Sequence, residues 1–229
     1  MNNEYTALMD KLGYRFRDPR LLEKALTHSS YANEGRHGLE SNERLEFLGD
    51  SVLGFVTAGY LFEKETGPEG MLTKLRAALV CEKALCSYAQ LLGLGSFLLL
   101  GRGEQRSGGA ERPSILADAF EAVIAAIYLD GGLEPVRAFL MPYLEREASN
   151  QRRRHFKDYK TTLQEIIQHN PEERLDYVLK GESGPDHDKV FEVDVCLHSN
   201  VIGSGRGRSK KEAEQQAARE ALKLMGYDG

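Results

Sequence analysis

Cysteine is scarce in this chain. Cys81, Cys86 and Cys196 are an odd three among 229 residues, with no Cys-x-x-Cys pair and no ligand-like spacing. They read as small buried apolar residues of a reducing compartment, not as a disulfide framework. A surplus of positive charge is missing too: the net charge is -5 and the pI near 5.8, which argues against a bulk nucleic-acid binder. The opening Met-Asn-Asn-Glu-Tyr-Thr has no basic-then-apolar signal pattern, and no long apolar run is expected anywhere. The expectation is a cytoplasmic protein with no membrane partner.

Charge is unevenly divided. Residues 1–150 hold 16 basic and 21 acidic side chains, the whole of the net charge, while the remainder is balanced at 14 and 14. Any nucleic-acid contact must therefore come from local clusters, with cations masking the acidic half.

The acids are patterned. At the helical step of roughly 100° per residue, Glu43, Glu46 and Asp50 share one edge of the segment Asn42 to Leu53. Leu45, Leu48, Val52 and Phe55 form the expected buried stripe. Like charges so spaced repel, and a divalent cation would compensate them. Taken alone, this is the pattern of an ordinary solvated amphipathic helix. A second segment changes the reading. Ser114 to Asp130 is apolar almost all round, which predicts a central core helix, yet Asp118 and Glu121 sit in it one turn apart. Carboxylates are rarely buried unless paired or bound to metal. Two such helices facing each other would make an all-oxygen pocket, suited to magnesium or manganese and not to zinc.

The remaining pattern predicts an all-α N-terminal domain over 1–150, a basic linker over 151–157 and a small α+β domain over 158–229. In the first, Asp18 is placed to cap a helix after the Asp18-Pro19 break, and Ser41 or Asn42 to cap the acid helix. Met71 to Leu92 reads as one long helix. His28 lies outside both acid helices and fits a structural, hydrogen-bonding histidine better than a ligand. Gly101 to Gly109 is glycine-rich, but no strand precedes it and no Lys-Ser/Thr follows, so no nucleotide cofactor is expected. A flexible loop delivering the Asp118 helix suffices, with Arg102, Arg106 and Arg112 available to phosphates. In the last domain, Asp158 to Gln168 is helical, three strands follow, and a final helix from about Ser209 buries Ala213, Ala217, Ala221 and Leu224. Ser209 and Glu212 form a capping box. Lys210 and Lys211 then project at the positive end of the helix dipole, with Arg206 and Arg208 just before them, an arrangement that receives a phosphate.

Asn-Glu-Arg-Leu-Glu-Phe-Leu-Gly-Asp-Ser (42–51) resembles the signature of the ribonuclease III family, and Leu-Ala-Asp-Ala-Phe-Glu-Ala (116–122) its second catalytic segment. Residues 158–229 resemble a double-stranded-RNA-binding domain, helix-strand-strand-strand-helix, with contact regions at 162–168, 184–189 and 209–214. The two resemblances cover nearly the whole chain. They imply an endoribonuclease that hydrolyses duplex RNA with Mg2+, or Mn2+ in its place. The products would carry 5′-phosphate and 3′-hydroxyl ends, and the cellular role would be processing of ribosomal RNA precursors and other structured transcripts. Glu46, Asp118 and Glu121 would be the main metal ligands, Asp50 with Glu121 the residues most tied to catalysis, and Glu43 an outer acid. Glu69 matches a further auxiliary acid by position, and Arg44 is a possible orienting residue. Two ions about 4 Å apart would activate a water and stabilise the leaving oxygen. Gln164, Gln168 and His187 would enter minor grooves, with Lys210 and Lys211 on the phosphates between, reading A-form shape over about 16 base pairs. A homodimer making staggered cuts is implied, with Phe47 in its contact. The alternative is a non-catalytic duplex-RNA-binding protein on an inactive nuclease scaffold. A missing inner acid would favour it, and none is missing.

Overall fold

The computed structural model describes residues 3–35, 40–155, 158–167, 173–185 and 188–226, without the side chains of 3, 4 and 152–155. The chain divides into two compact units, Met1–Ser149 and Asn150–Gly229.

Helices build the first unit: α1 (Asn3–Leu12), α2 (Pro19–Leu26), α3 (Ser29–Ala32), α4 (Glu43–Lys64), α5 (Glu69–Val80), α6 (Glu82–Leu92), α7 (Arg102–Arg106), α8 (Pro113–Gly131) and α9 (Leu133–His155). Its centre is α8, against which α2, α4 and α6 pack. Ala119, Phe120 and every residue from Ala122 to Ile127 on α8 are fully buried. Phe120 fixes the rotation of this helix. Its ring lies 5.6 Å from that of Tyr88, 5.4 Å from Phe139 and 5.6 Å from Tyr143, and each such pair adds about 0.5–1.5 kcal/mol beyond the area it buries.

Several boundaries differ from the sequence reading. The expected helix from Met71 to Leu92 is two helices, α5 and α6, because Cys81 is extended and serves as both the end of one and the start of the next. The glycine-rich segment holds a short helix, α7, and a 3-10 turn at Gly109–Glu111 instead of a flexible loop. Ion pairing of Arg112 with Glu104 at 2.8 Å and donation from Arg102 N–H to Glu34 tie it down. Helical backbone in α9 continues to His155, through residues whose composition suggests a linker.

α4 has three faces. Leu45, Gly49, Val52, Leu53, Val56, Tyr60 and Leu61 face inward. The acids line a second edge. The third carries Phe47, Phe55 and Phe62, spaced by eight and seven residues and 79%, 66% and 81% exposed. Phe55 thus corrects the expected buried stripe: it stands off the inward face by enough of a turn to join the exposed one. Contrary to the expectation of no long apolar run, α4 is long and apolar enough, by length and composition, to cross a membrane. It packs along α8 and buries one face there, as a core helix of this unit.

The second unit runs α10 (Tyr159–Ile167), β1 (Leu175–Ser183), β2 (Val190–Leu197), β3 (Asn200–Gly207) and α11 (Lys210–Leu224). Its sheet is antiparallel in the order β1-β2-β3. Leu163, Ile167 and Val195 pack with Ala217, Ala218, Ala221 and Leu222. The glycines of β3 explain how α11 lies so close. A Cβ on Gly205 would stand 2.2 Å from the Ala213 carbonyl oxygen, and one on Gly203 2.4 Å from that of Ala217. Leu224, expected on the buried face, is 75% exposed, and Leu222 is buried. The helix ends at Leu224, so no further turn follows to cover its side chain.

Candidate active site

The pocket exists because α4 and α8 touch backbone to backbone. Gly49 sits on the inward side of α4 between Glu46 and Asp50, and a Cβ there would fall 1.9 Å from the carbonyl oxygen of Glu121. Only glycine permits this approach. With the helices so close, Glu46, Asp118 and Glu121 each present a carboxylate oxygen, and the three atoms lie within 4.8 Å of one another. Asp50, one turn beyond Glu46, is exposed beside them, and its charge is felt by both Glu46 and Glu121.

Negative charge here is poorly compensated. Burial, and then Asp50, Glu46 and Asp118 in turn, push the Glu121 carboxyl up to about 8. Glu46 is raised by burial and by Asp118, Glu43 and Asp50. Asp118 is raised by burial and by Glu82, and drawn back down by His28. At neutral pH the bare pocket therefore retains a proton it would release to a cation. The converging donors are all carboxylate oxygens, with no thiol or imidazole among them. They fit a hard divalent ion.

Other expected site residues fall further out. Glu43 opens α4 and accepts from the Ser41 hydroxyl at 2.9 Å. Asn42 stands at the N-cap, but its side-chain amide donates to Ala25 O instead of serving the helix end. Glu69 opens α5, exposed, and accepts from the Thr73 hydroxyl at 2.7 Å; it is not in the converging group. The charge of Arg44 acts on Glu40. Glu82 had no signal in the sequence, since the helix it opens merges there with the one before. His28 caps α3, its Nδ1 accepting from Ser30 N–H.

In the second unit, Asp158 aligns α10 with α11. It accepts from Thr161 and from the Gln215 amide at 2.8 Å. Gln164 is exposed on α10. Ser209 Oγ accepts from Glu212 N–H at 3.2 Å, the expected cap, while Glu212 reaches back to Arg208 N–H. Lys210 and Lys211 follow at the exposed start of α11. Arg206 pairs with Glu192 across the strands. Gln168 and His187 lie outside the described residues.

A helical domain with a carboxylate pocket, followed by an α-β-β-β-α domain with a cationic helix start, defines a nuclease joined to a duplex-RNA reader. Residues 18–147 match the family described as Ribonuclease-III-like, and 159–225 the Double-stranded RNA binding motif. The chain is 50% identical to "Ribonuclease 3" of Pelotomaculum thermopropionicum over 96% of its own length and 92% of that protein's. It is equally identical to "Ribonuclease 3" of Caldanaerobacter subterraneus subsp. tengcongensis, over 96% and 98%. Among solved structures it resembles the nuclease domain of ribonuclease III from Campylobacter jejuni, with 46% identity and a TM-score of 0.57. That alignment covers 62% of this chain and 96% of the other, a domain described as structurally flexible in a region involved in dimer formation. This chain belongs to the ribonuclease III family. It is a ribonuclease III-type endonuclease with a double-stranded-RNA-binding domain.

Proposed function

We propose that the protein hydrolyses phosphodiester bonds of double-stranded RNA, leaving 5′-phosphate and 3′-hydroxyl ends. The supporting observation is the convergence of Glu46, Asp118 and Glu121. These three hold the metal, Mg2+ with Mn2+ as a substitute, and Asp50 completes the inner set. When bound, the metal supplies positive charge for the phosphate and Lewis acidity toward the attacking water. The chain's own part is to hold the carboxylates at fixed spacing, through Gly49 and the Phe120 cluster, and to keep the pocket from closing on itself. Glu43 and Glu69 act outside this set. Gln164, Gln168 and His187 contact minor grooves, and Lys210 with Lys211 the intervening phosphates.

The aromatic face of α4 (Phe47, Phe55, Phe62) is the contact of a homodimer whose two sites make staggered cuts. We assign the nuclease to 1–150, a connecting segment to 151–157 and RNA binding to 158–229. The setting is cytoplasmic processing of structured transcripts, ribosomal precursors among them. The test is incubation of a plain RNA duplex with the protein, with and without Mg2+. Cleavage only with Mg2+ in wild type, and none in Glu121→Gln with duplex binding intact, is the expected result. Binding without cleavage in wild type would move the chain to the non-catalytic alternative.

A further inference from the structure

The two helices of the second unit are held in different ways. α11 is pressed onto β3 at Gly203, Gly205 and Gly207, where any side chain would strike its backbone. α10 packs chiefly on α11, with Leu163 and Ile167 in a cluster with Ala217, Ala218 and Ala221. Alanine methyls make shallow ridges, so this contact fixes the distance between the helices better than their slide along one another. Directional bonds supply the rest. Gln215 Oε1 accepts from the backbone N–H of Lys160 at 3.1 Å, a first-turn amide with no partner inside its own helix. Gln215 Nε2 donates to Asp158 Oδ1 at 2.8 Å. Asp158, just before α10, also accepts from Thr161 N–H at 3.3 Å and from the Thr161 hydroxyl at 2.9 Å. The start of one helix is thus gripped by a side chain of the other.

A second strut runs beside it. Lys160 Nζ pairs with Glu214 at 2.6 Å and lies over the Tyr177 ring, 4.5 Å from its centroid, which ties β1 to the same joint. That strut is a point charge on a flexible stem and follows a moving helix. The amide bridge does not, because one of its partners is main chain. What the joint spaces is the set of expected RNA contacts. Gln164 lies beyond it on α10, and Lys210 and Lys211 lie about one turn before it on α11. A-form RNA has a wide, shallow minor groove and a deep, narrow major groove, whereas B-form DNA has the minor groove narrow and the major groove wide. A module that touches a minor groove from one helix and the neighbouring phosphates from another therefore separates the two forms by the spacing of those helices.

We infer that Gln215 is a positioning residue for duplex recognition: by clamping Lys160 N–H and Asp158 it sets the register of α10 against α11, and with it the spacing between Gln164 and the Lys210–Lys211 pair that selects an A-form duplex. Half-buried between the helices, Gln215 acts through them. The inference rests on the assignment of Gln164, Lys210 and Lys211 to the duplex.

The test uses full-length protein in chelator, which prevents cleavage, and one sequence of about 16 base pairs prepared as an RNA duplex and as a DNA duplex. Binding is measured at several salt concentrations, below the melting temperature of each variant. Gln215→Met keeps the length of the side chain and adds no charge. It is expected to lower RNA affinity about tenfold and to flatten the salt slope by about one unit, with DNA affinity unchanged. Asp158→Asn combined with Gln215→Glu keeps the net charge and again sets a donor against an acceptor, giving up only the longer bond from Thr161 N–H. This pair is expected to recover most of the preference for RNA, whereas Gln215→Glu alone, with two carboxylates face to face, loses it. Wild-type preference and salt slope in folded Gln215→Met would overturn the inference, as would equal losses for RNA and DNA. Should Gln215→Met fail to fold, the exchanged pair is set against Gln215→Glu: stronger RNA preference in the pair supports the role, and equality refutes it. Wild type that binds both duplexes equally, or an affinity untouched by Lys210→Ala with Lys211→Ala, strikes the RNA contacts themselves and takes the inference with them.

Discussion

Gly49 and Glu121 meet backbone to backbone: the place where a Gly49 side chain would begin is 1.9 Å from the Glu121 carbonyl oxygen. One contact thus sets both the spacing of α4 from α8 and the depth of the acid pocket. The obstructing atom is backbone, so it cannot swing aside. Gly49→Ala should lower stability by about 3 kcal/mol or more, the upper range for overpacking, as read from urea unfolding. Folded protein should have lost Mg2+-dependent cleavage. Wild-type stability in this variant would show that the helices can separate freely.

The raised Glu121 carboxyl gives a pH dependence whose sign can be worked out. A carboxyl that titrates near 8 when folded, and in the ordinary range when unfolded, stabilises the fold while protonated. That contribution is complete below the unfolded value of about 4.5 and is lost as pH rises through about 8. Metal-free wild type should therefore lose melting temperature relative to Glu121→Gln across this window. Divalent metal should reverse the trend, its affinity rising with pH as the proton is displaced. Parallel melting curves for the two proteins in chelator would count against a buried proton at this position.

Phe55 and Phe62 expose their rings on α4 while Leu53, Val56 and Leu61 bury theirs. Replacing the two aromatics by glutamate should leave the fold intact and weaken self-association by at least about a hundredfold, since buried aromatic anchors contribute about 2 kcal/mol or more each. Sedimentation across a concentration series measures this. Wild type that sediments as a monomer at every concentration would remove the dimer proposal.

Lys210→Ala with Lys211→Ala should reduce duplex affinity and flatten its dependence on salt by roughly two units of slope, one per lost phosphate contact. Filter binding at several salt concentrations provides the slopes. Unaltered slopes would detach these lysines from the RNA backbone.

His198, in the turn between β2 and β3, has φ of 54°. This left-handed backbone strains a β-carbon and suits glycine. His198→Gly should stabilise the hairpin by about 1 kcal/mol, net of glycine's greater freedom when unfolded. Amide exchange along β2 and β3 would then slow roughly fivefold, and faster exchange would contradict the assignment of strain.

The acids of the site were legible because helical phase alone brings Glu46 and Asp50 to one edge, and because Asp118 and Glu121 stand out in an apolar helix. Gly49 was not, since a glycine inside a helix looks like weak propensity until a second backbone is seen against it. Phe55 was misplaced for a related reason: periodicity marks apolar faces without saying what covers them, and α4 has two. The break at Cys81 carries neither glycine nor proline, so α5 and α6 ran together, which also hid Glu82 as a neighbour of Asp118. His28 is the hydrogen-bonding structural residue its position suggests, capping α3 through Ser30 N–H, whereas its backbone bond to Leu99 had no signal because that segment lies seventy-one residues on.

At the far end of α8, Asp130 accepts from the Tyr14 hydroxyl at 2.7 Å and from the backbone N–H groups of Arg17 and Asp18, each at 2.9 Å. The phenol is pushed up to about 12 by its burial and by this carboxylate. Nine residues and roughly 13 Å of helix separate this clasp from Glu121, at 1.5 Å per residue. The rod that carries half of the acids is thus anchored at its tail by a stretch of chain with no part in the chemistry. A lesion at Tyr14 would be felt as misalignment at a distance, and variants of this enzyme weakened there would look catalytic in an assay while being mechanical in origin.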